Sequence, residues 1–162
     1  MMMKTIRTII VGCLALMALP MQAQQASFHK QGVECLGIEQ DGSQTLRVTG
    51  QGRNKADAEE QAKKDAVYAV IFEGIRSGAG GCDMRPLIYE QDARRKYEEY
   101  FDIFFMDKGE YAKYVSMEDA RRGSKNKAKN KYFKSYRLTV RVLRQELKAR
   151  LIADNVIKVK KD

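Results

Sequence analysis

Between Val48 and Ile75 the chain reads VTGQGRNKADAEEQAKKDAVYAVIFEGI, and no other stretch restricts the fold as tightly. Asn54 is placed to cap a helix, because its side-chain oxygen can accept from a first-turn amide that has no partner within the helix. Asp57, Glu59 and Glu60 put negative charge beside that amino end, where the helix dipole favours it. Glu59 with Lys63 and Glu60 with Lys64 stand four apart in the favourable order, each pair adding roughly 0.3 kcal/mol. Ala58, Ala62, Ala66 and Ala69 share one stripe, widened downstream by Val70 and Ile71. The stripe predicts close packing against a sheet; a ligand groove built on small residues is the alternative.

Charge raises a second question, since the chain has 30 Lys+Arg against 21 Asp+Glu. Gly50, Gly52, Asn54, Lys55 and Ala58 resemble the last helix of a double-stranded-RNA-binding domain, in which G-x-G is followed by Ser-Lys-Lys and then Ala-Lys. Here Ala56 and Glu59 occupy the positions of the second and third lysines. An acidic first turn repels the phosphates it would have to hold. That family also needs a helix and three strands ahead of this helix, and the sequence offers two short strands. The resemblance is therefore set aside, and no nucleic-acid partner is expected.

Met1 to Ala23 reads as a signal peptide: Lys4 and Arg7 precede an apolar run from Ile9 to Leu19, Pro20 breaks it, and small Ala23 follows. The run is too short to span a bilayer, so no transmembrane segment is expected in the mature chain. Ile10-Val11-Gly12-Cys13 has the residue types of a bacterial lipidation site, so a lipoprotein acylated at Cys13 is the alternative to cleavage after Ala23. Either route predicts export, to the periplasm or beyond, or to a membrane anchor. Loss of Lys4 and Arg7 leaves 28 cations against 21 acids, a formal charge of +7. What remains is the size of one domain. Cys35 and Cys82 are then the only cysteines, in a compartment where disulfides persist. They are either a bonded pair or two buried thiols, because sequence does not set their geometry. With a lone His29 and no C-x-x-C pair, neither a metal nor a cofactor is expected.

The rest of the chain reads as one α+β domain over residues 32–157, between a lead-in at 24–31 and a basic tail at 158–162. Gly32–Glu39 and Gln44–Thr49 are expected strands, joined at Asp41-Gly42, a dipeptide that supplies the positive φ angles of a tight hairpin. Arg76 to Cys82, with three glycines, reads as a flexible linker rather than a phosphate loop, since no Gly-Lys-Ser/Thr follows. Tyr97, Tyr100, Phe101, Phe104 and Phe105 recur at helical spacing from about Gln91 and predict a packed aromatic helix ending at Asp107-Lys108-Gly109. Glu110–Met117 and Tyr132–Leu143 are the last expected strands, the second with a two-residue alternation of Tyr136, Leu138, Val140 and Val142. A closing helix runs from Arg144 to about Asp154. The predicted architecture is two-layered: an antiparallel sheet of about four strands with two or three helices on one face.

Arg121, Arg122, Lys125, Lys127, Lys129 and Lys131 fall within eleven positions that hold no acid, and read as the tip of a hairpin. Set those six aside and the mature chain has 22 cations against 21 acids, so the basicity is local. This run is the candidate polyanion-binding element.

Val48, Gly50 and Gly52 leading into the alanine helix, with Leu143, Arg144 and Leu147 after the last strand, resemble small exported domains of Gram-negative bacteria typified by flagellar-associated and helicobacter-type lipoproteins. The resemblance covers about half of the mature chain, and Tyr89 to Met117 falls outside it. It implies an envelope-associated α+β domain that binds or assembles and carries no catalytic residues. The expected partner is an envelope protein or an anionic envelope surface. The enzymatic alternative is an envelope-glycan hydrolase using carboxylates, for which Glu98 and Glu99 are the candidates. Neighbours on a helix point about 100° apart, however, and do not form an opposed acid and base.

Overall fold

The computed structural model describes residues 32–78, 80–117, 127–129 and 134–158, with the backbone alone at 127–129. Strands β1 (Glu34–Ile38) and β2 (Gln44–Gly52) form the first hairpin. At its turn Gly42 takes a φ of 79° and donates its amide to the Glu39 carbonyl, while the Asp41 carboxylate accepts from the Ser43 amide. Only Gly42 of the Asp41-Gly42 pair uses positive φ; Asp41 contributes its carboxylate instead.

Helix α1 (Lys55–Tyr68) begins as its sequence dictates, with the Asn54 side-chain oxygen accepting from the Asp57 amide at 2.9 Å. Ala58, Ala62, Ala66 and Ala69 are all buried and lie over Leu46 and Val48 of β2 and Leu138, Val140 and Val142 of β5 (Lys134–Val142). The glycine pair explains how close the helix comes. A Cβ on Gly50 would sit 1.9 Å from the Ala58 carbonyl oxygen, and one on Gly52 would sit 2.5 Å from the Ala58 amide nitrogen. The charges on α1 pair differently from expectation: Lys63 takes Glu60 at 2.6 Å, Lys55 takes Glu59, and Lys64 reaches Asp107 across 43 positions of sequence. A tertiary carboxylate with good geometry outcompetes the local one.

The helix continues into a π-helical turn, Ala69–Glu73, and stops at Gly74, whose φ is 76°. The wider turn leaves carbonyls open, and the chain at Leu87 and Ile88 donates amides to Val70 and Ile71 at 3.0 and 2.9 Å.

β2 and β5 pair antiparallel along their whole length, from Gln44 opposite Val142 to Gly52 opposite Lys134. The sheet order is β1-β2-β5-β3, and β4 (Lys127–Lys129) also pairs with β5. The fold is the expected α+β type, an antiparallel sheet with helices packed on it. The aromatic segment is split at Tyr97 into α2 (Ala93–Lys96) and α3 (Glu98–Phe104). Phe101 and Phe104 enter the core, and α3 joins the helical layer through ring contacts of Phe101 with Phe72 and of Phe104 with Tyr114, while Phe105, just after it, meets Tyr68 and Tyr111.

Two expected elements differ. Glu110–Tyr114 is a short 3-10 helix, and only Val115–Ser116 (β3) pairs with β5. Tyr111 and Val115 are buried four positions apart, a helical spacing that competes with strand alternation. The glycine segment after Arg76 is a fitted cover along the outer edge of β1 and no free linker. Ser77 accepts the Cys35 amide at 2.8 Å and donates its hydroxyl to the Val33 carbonyl at 2.7 Å. Cβ atoms on Gly78 or Gly80 would meet the β1 backbone at 2.2 and 2.4 Å.

Cys35 and Cys82 form a disulfide, both residues buried, which settles the choice between a bond and two thiols. Closing a loop of 47 positions removes about 4 kcal/mol of unfolded-chain entropy in the loop-closure account.

Helix α4 (Arg144–Ala153) buries Leu147 and Leu151. It ends with Asn155 at φ 58°, the Val156 amide donating to Leu151 and the Asn155 amide to Ile152. This left-handed cap turns Val156 back into the core beside Leu151. No described helix is long and apolar enough to cross a membrane.

Candidate functional site

The candidate residues divide by position. Lys127 and Lys129 stand in β4, opposite Tyr136 and Lys134 of β5, so this part of the basic run is strand rather than hairpin tip. Arg121, Arg122, Lys125 and Lys131 lie outside the described residues, as do Cys13 and His29. At its described end the run meets Lys134, itself exposed and opposite Gly52. Sequence reading left out Lys134 because it belongs to the following strand.

Elsewhere on the described surface several cations are paired with acids. Arg47 pairs with Glu34 at 3.0 Å, Arg95 with Asp92 at 3.1 Å, Lys96 with Glu90 at 2.7 Å, and Arg94 with Asp102. Exposed pairs of this kind contribute little to stability, but they cancel the local field. The folded body therefore presents a mosaic, against which a run of six cations stands out.

A cleft of about 460 Å³ opens between the start of α1 and the turn after α3, lined by Arg53, Asp57, Glu60, Lys64, Asp107 and Lys108 among others. At one side the buried Tyr111 donates its hydroxyl to Glu60 at 2.7 Å, and Lys64 lies 5.6 Å from the centre of the Tyr111 ring. Partial burial pushes the Glu60 carboxyl up, but hydrogen bonds from Lys63 and Tyr111 outweigh it and hold it below the usual glutamate value. The Lys64 ammonium holds Asp107 down in the same way. Burial, then Glu60 itself, drives the Tyr111 phenol far up. No local pattern in the sequence announces this group, because Glu60 and Tyr111 are 51 positions apart.

A second polar network fastens α4. Tyr100 donates to Asp154 at 2.6 Å, Arg150 reaches the same carboxylate at 2.6 Å, and its other arm meets Glu110 at 3.1 Å. Burial raises Asp154, and the bonds from Tyr100 and Arg150 more than reverse it. Asp41, Asp83 and Glu110 are likewise held below their ordinary values, by bonds from Ser43, from the Arg85 amide and from Lys113 respectively. These carboxyls are committed as charged partners of structure. A glycosidic general acid needs the opposite displacement.

Glu98 and Glu99 open the first turn of α3 beside a shallow hollow of about 420 Å³ lined by Arg95, Lys96, Tyr97 and Tyr100. Successive positions on one helix do not bring the two carboxylates face to face across a substrate. Among the described residues there is no group of three or more His, Cys, Asp or Glu arranged to hold a metal.

No protein-family model matches the chain, and neither does a curated protein or a solved structure.

Proposed function

We propose that the chain is an exported, non-catalytic binding or assembly module of the bacterial envelope, and that the run from Arg121 to Lys131 is its contact with anionic glycan, lipid headgroup or an acidic partner. The observation that carries this reading is the charge distribution: six cations with no acid among them, attached to a body whose other charges nearly cancel. Lys127 and Lys129 are held on the sheet through β4, which ties this part of the run to the fold. The signal-like amino terminus, the disulfide and the likeness of the Val48-to-Gly52 turn to exported lipoprotein domains support the location.

Replacing Arg121, Arg122, Lys125, Lys127, Lys129 and Lys131 with Ser or Gln tests it. The variant should keep the unfolding midpoint of the wild type, and should lose salt-sensitive binding to vesicles containing anionic lipid and to acidic polysaccharide. Equal binding by the variant would sink the role of the run. Intact mass of protein recovered from an envelope fraction tests the route of export: a chain beginning at Gln24 is the expected product, and one beginning at an acylated Cys13 replaces it with a membrane-tethered form.

A further inference from the structure

We infer that the anionic ligand of the basic run is an acidic polysaccharide, and that Lys134 and Tyr136 of β5 are its seat on the folded body. The inference rests on the reading of the run given above and adds two residues to it. Register and face place them. A Cβ on Gly50 or Gly52 would strike Ala58 or Asp57, so both glycines face α1. Tyr136 pairs with Gly50 and Lys134 with Gly52, and residues opposed in an antiparallel pair share a face, so both stand on the side of the sheet that α1 covers. α1 begins only at Lys55, level with this end of the sheet, which leaves Tyr136 half-buried and Lys134 exposed. On the other flank of β5, Lys127 and Lys129 occupy the positions opposite Tyr136 and Lys134.

Lysine on an edge strand guards against pairing with another chain, which accounts for Lys127 and Lys129 in β4. It does not account for Lys134, whose strand is paired on both sides. Lys129 and Lys134 are directly opposed, and like charges so placed repel until an anion lies between them. Among the described residues no acid pairs with Lys134. The first turn of α1 rises beside this floor as a wall, and its own charges are matched, Arg53 to Asp57 at 3.4 Å and Lys55 to Glu59 at 3.3 Å. A flat bilayer meets the rim of such a step and not its floor, whereas a single polysaccharide strand fits along it. Tyr136 favours the same ligand. It stands two positions from Lys134 on one face of β5, about 7 Å away, the reach of a sugar ring with its acid substituent. The C–H face of the sugar packs on the tyrosine ring while the acid group meets the ammonium. An acidic polypeptide brings the charge without the ring face.

The test titrates the full protein with polygalacturonate, with dextran as the uncharged control, with vesicles of equal parts phosphatidylcholine and phosphatidylglycerol, and with polyglutamate. The wild type should bind polygalacturonate and ignore dextran. Lys134→Gln should weaken polygalacturonate binding by at least about fivefold, and change any binding of vesicles or polyglutamate by less than about twofold. Tyr136→Leu should weaken it likewise, and Tyr136→Phe, which keeps the ring, should match the wild type. Urea midpoints check that each variant is folded, and Arg95→Gln, at an exposed cation of α2, should change nothing. Undiminished polygalacturonate binding by Lys134→Gln, alongside its loss when the six cations of the run are replaced, would overturn the inference and leave the reading of the run standing. An equal loss of vesicle or polyglutamate binding by Lys134→Gln would overturn it in favour of a lipid surface or an acidic polypeptide. A wild type that binds none of the probes would overturn both.

Discussion

Gly50→Ala is the substitution whose sign separates two accounts of the V-x-G-x-G turn. In a strand interior glycine is entropically unfavourable, so alanine should stabilise the protein by roughly 0.5 to 1 kcal/mol if nothing lies above it. In this fold the new methyl would sit 1.9 Å from the Ala58 carbonyl oxygen and 2.9 Å from the Ala62 Cβ. The nearest atom is helix backbone and cannot rotate aside, so α1 must lift by more than an ångström at its first turn. That movement opens the contact of Ala58 and Ala62 with the sheet, and overpacking of this kind costs about 3 kcal/mol. Less the entropic gain, the net loss is about 2 kcal/mol, or roughly 7 °C in Tm for a domain of this size. Urea unfolding of the purified domain measures it, with Gly37→Ala as the control, since a Cβ there meets nothing within 4 Å. The control should be neutral or slightly stabilising. A Gly50→Ala protein as stable as the wild type would refute the claim that the glycine pair exists to seat the helix.

Two further outcomes follow from the polar networks. Asp154 and Glu60 are held below their ordinary values of 3.8 and 4.5, so the stability they contribute is fully present above those values and is lost as pH falls through the lower folded ones. Tyr100→Phe, which removes one bond to Asp154, should therefore flatten the acid limb of a stability-against-pH curve and leave the neutral region lower by about 1 kcal/mol; an unchanged acid limb would count against the network. Arg144 is almost fully buried and spans the Asp83 carboxylate and the Arg85 carbonyl, so Arg144→Ala should cost about 2 kcal/mol in denaturant unfolding, whereas Arg95→Ala, at an exposed pair, should cost less than about 0.5 kcal/mol.

What the sequence discloses here depends on how local the deciding interaction is. The start of α1 is readable because its cap, its first-turn acids and its alanine period all act within fifteen positions. β5 is readable because a half-buried strand writes its alternation into consecutive residues. The 3-10 helix at Glu110–Tyr114 is not, since it forms to bring Tyr111 onto Glu60 and to stack Phe105, partners that no local window contains. The cover over β1 is misread as a linker for a related reason: glycine signals freedom in sequence, and only the position of a strand edge turns that freedom into close contact. The salt bridges of α1 show the same limit, because Lys64 answers to Asp107 and not to the acid four positions before it. For the candidate site, the clustering of cations is a fact of sequence, and the sheet adds that Lys127 and Lys129 stand in a strand.

The pairing of β2 with β5 sets the timetable of folding. Gly52 waits for Lys134, and Gln44 for Val142, 82 and 98 positions further along the chain. At ribosomal rates those residues appear roughly 4 to 20 seconds apart, so the first hairpin and α1 spend that interval with their shared apolar face half closed. The final step is a long-range docking whose loop entropy comes due before its contacts form, the signature of a slow folder. A chain built this way stays unfinished until its last quarter is free to fold, and until then the earlier part keeps its sheet-facing side open.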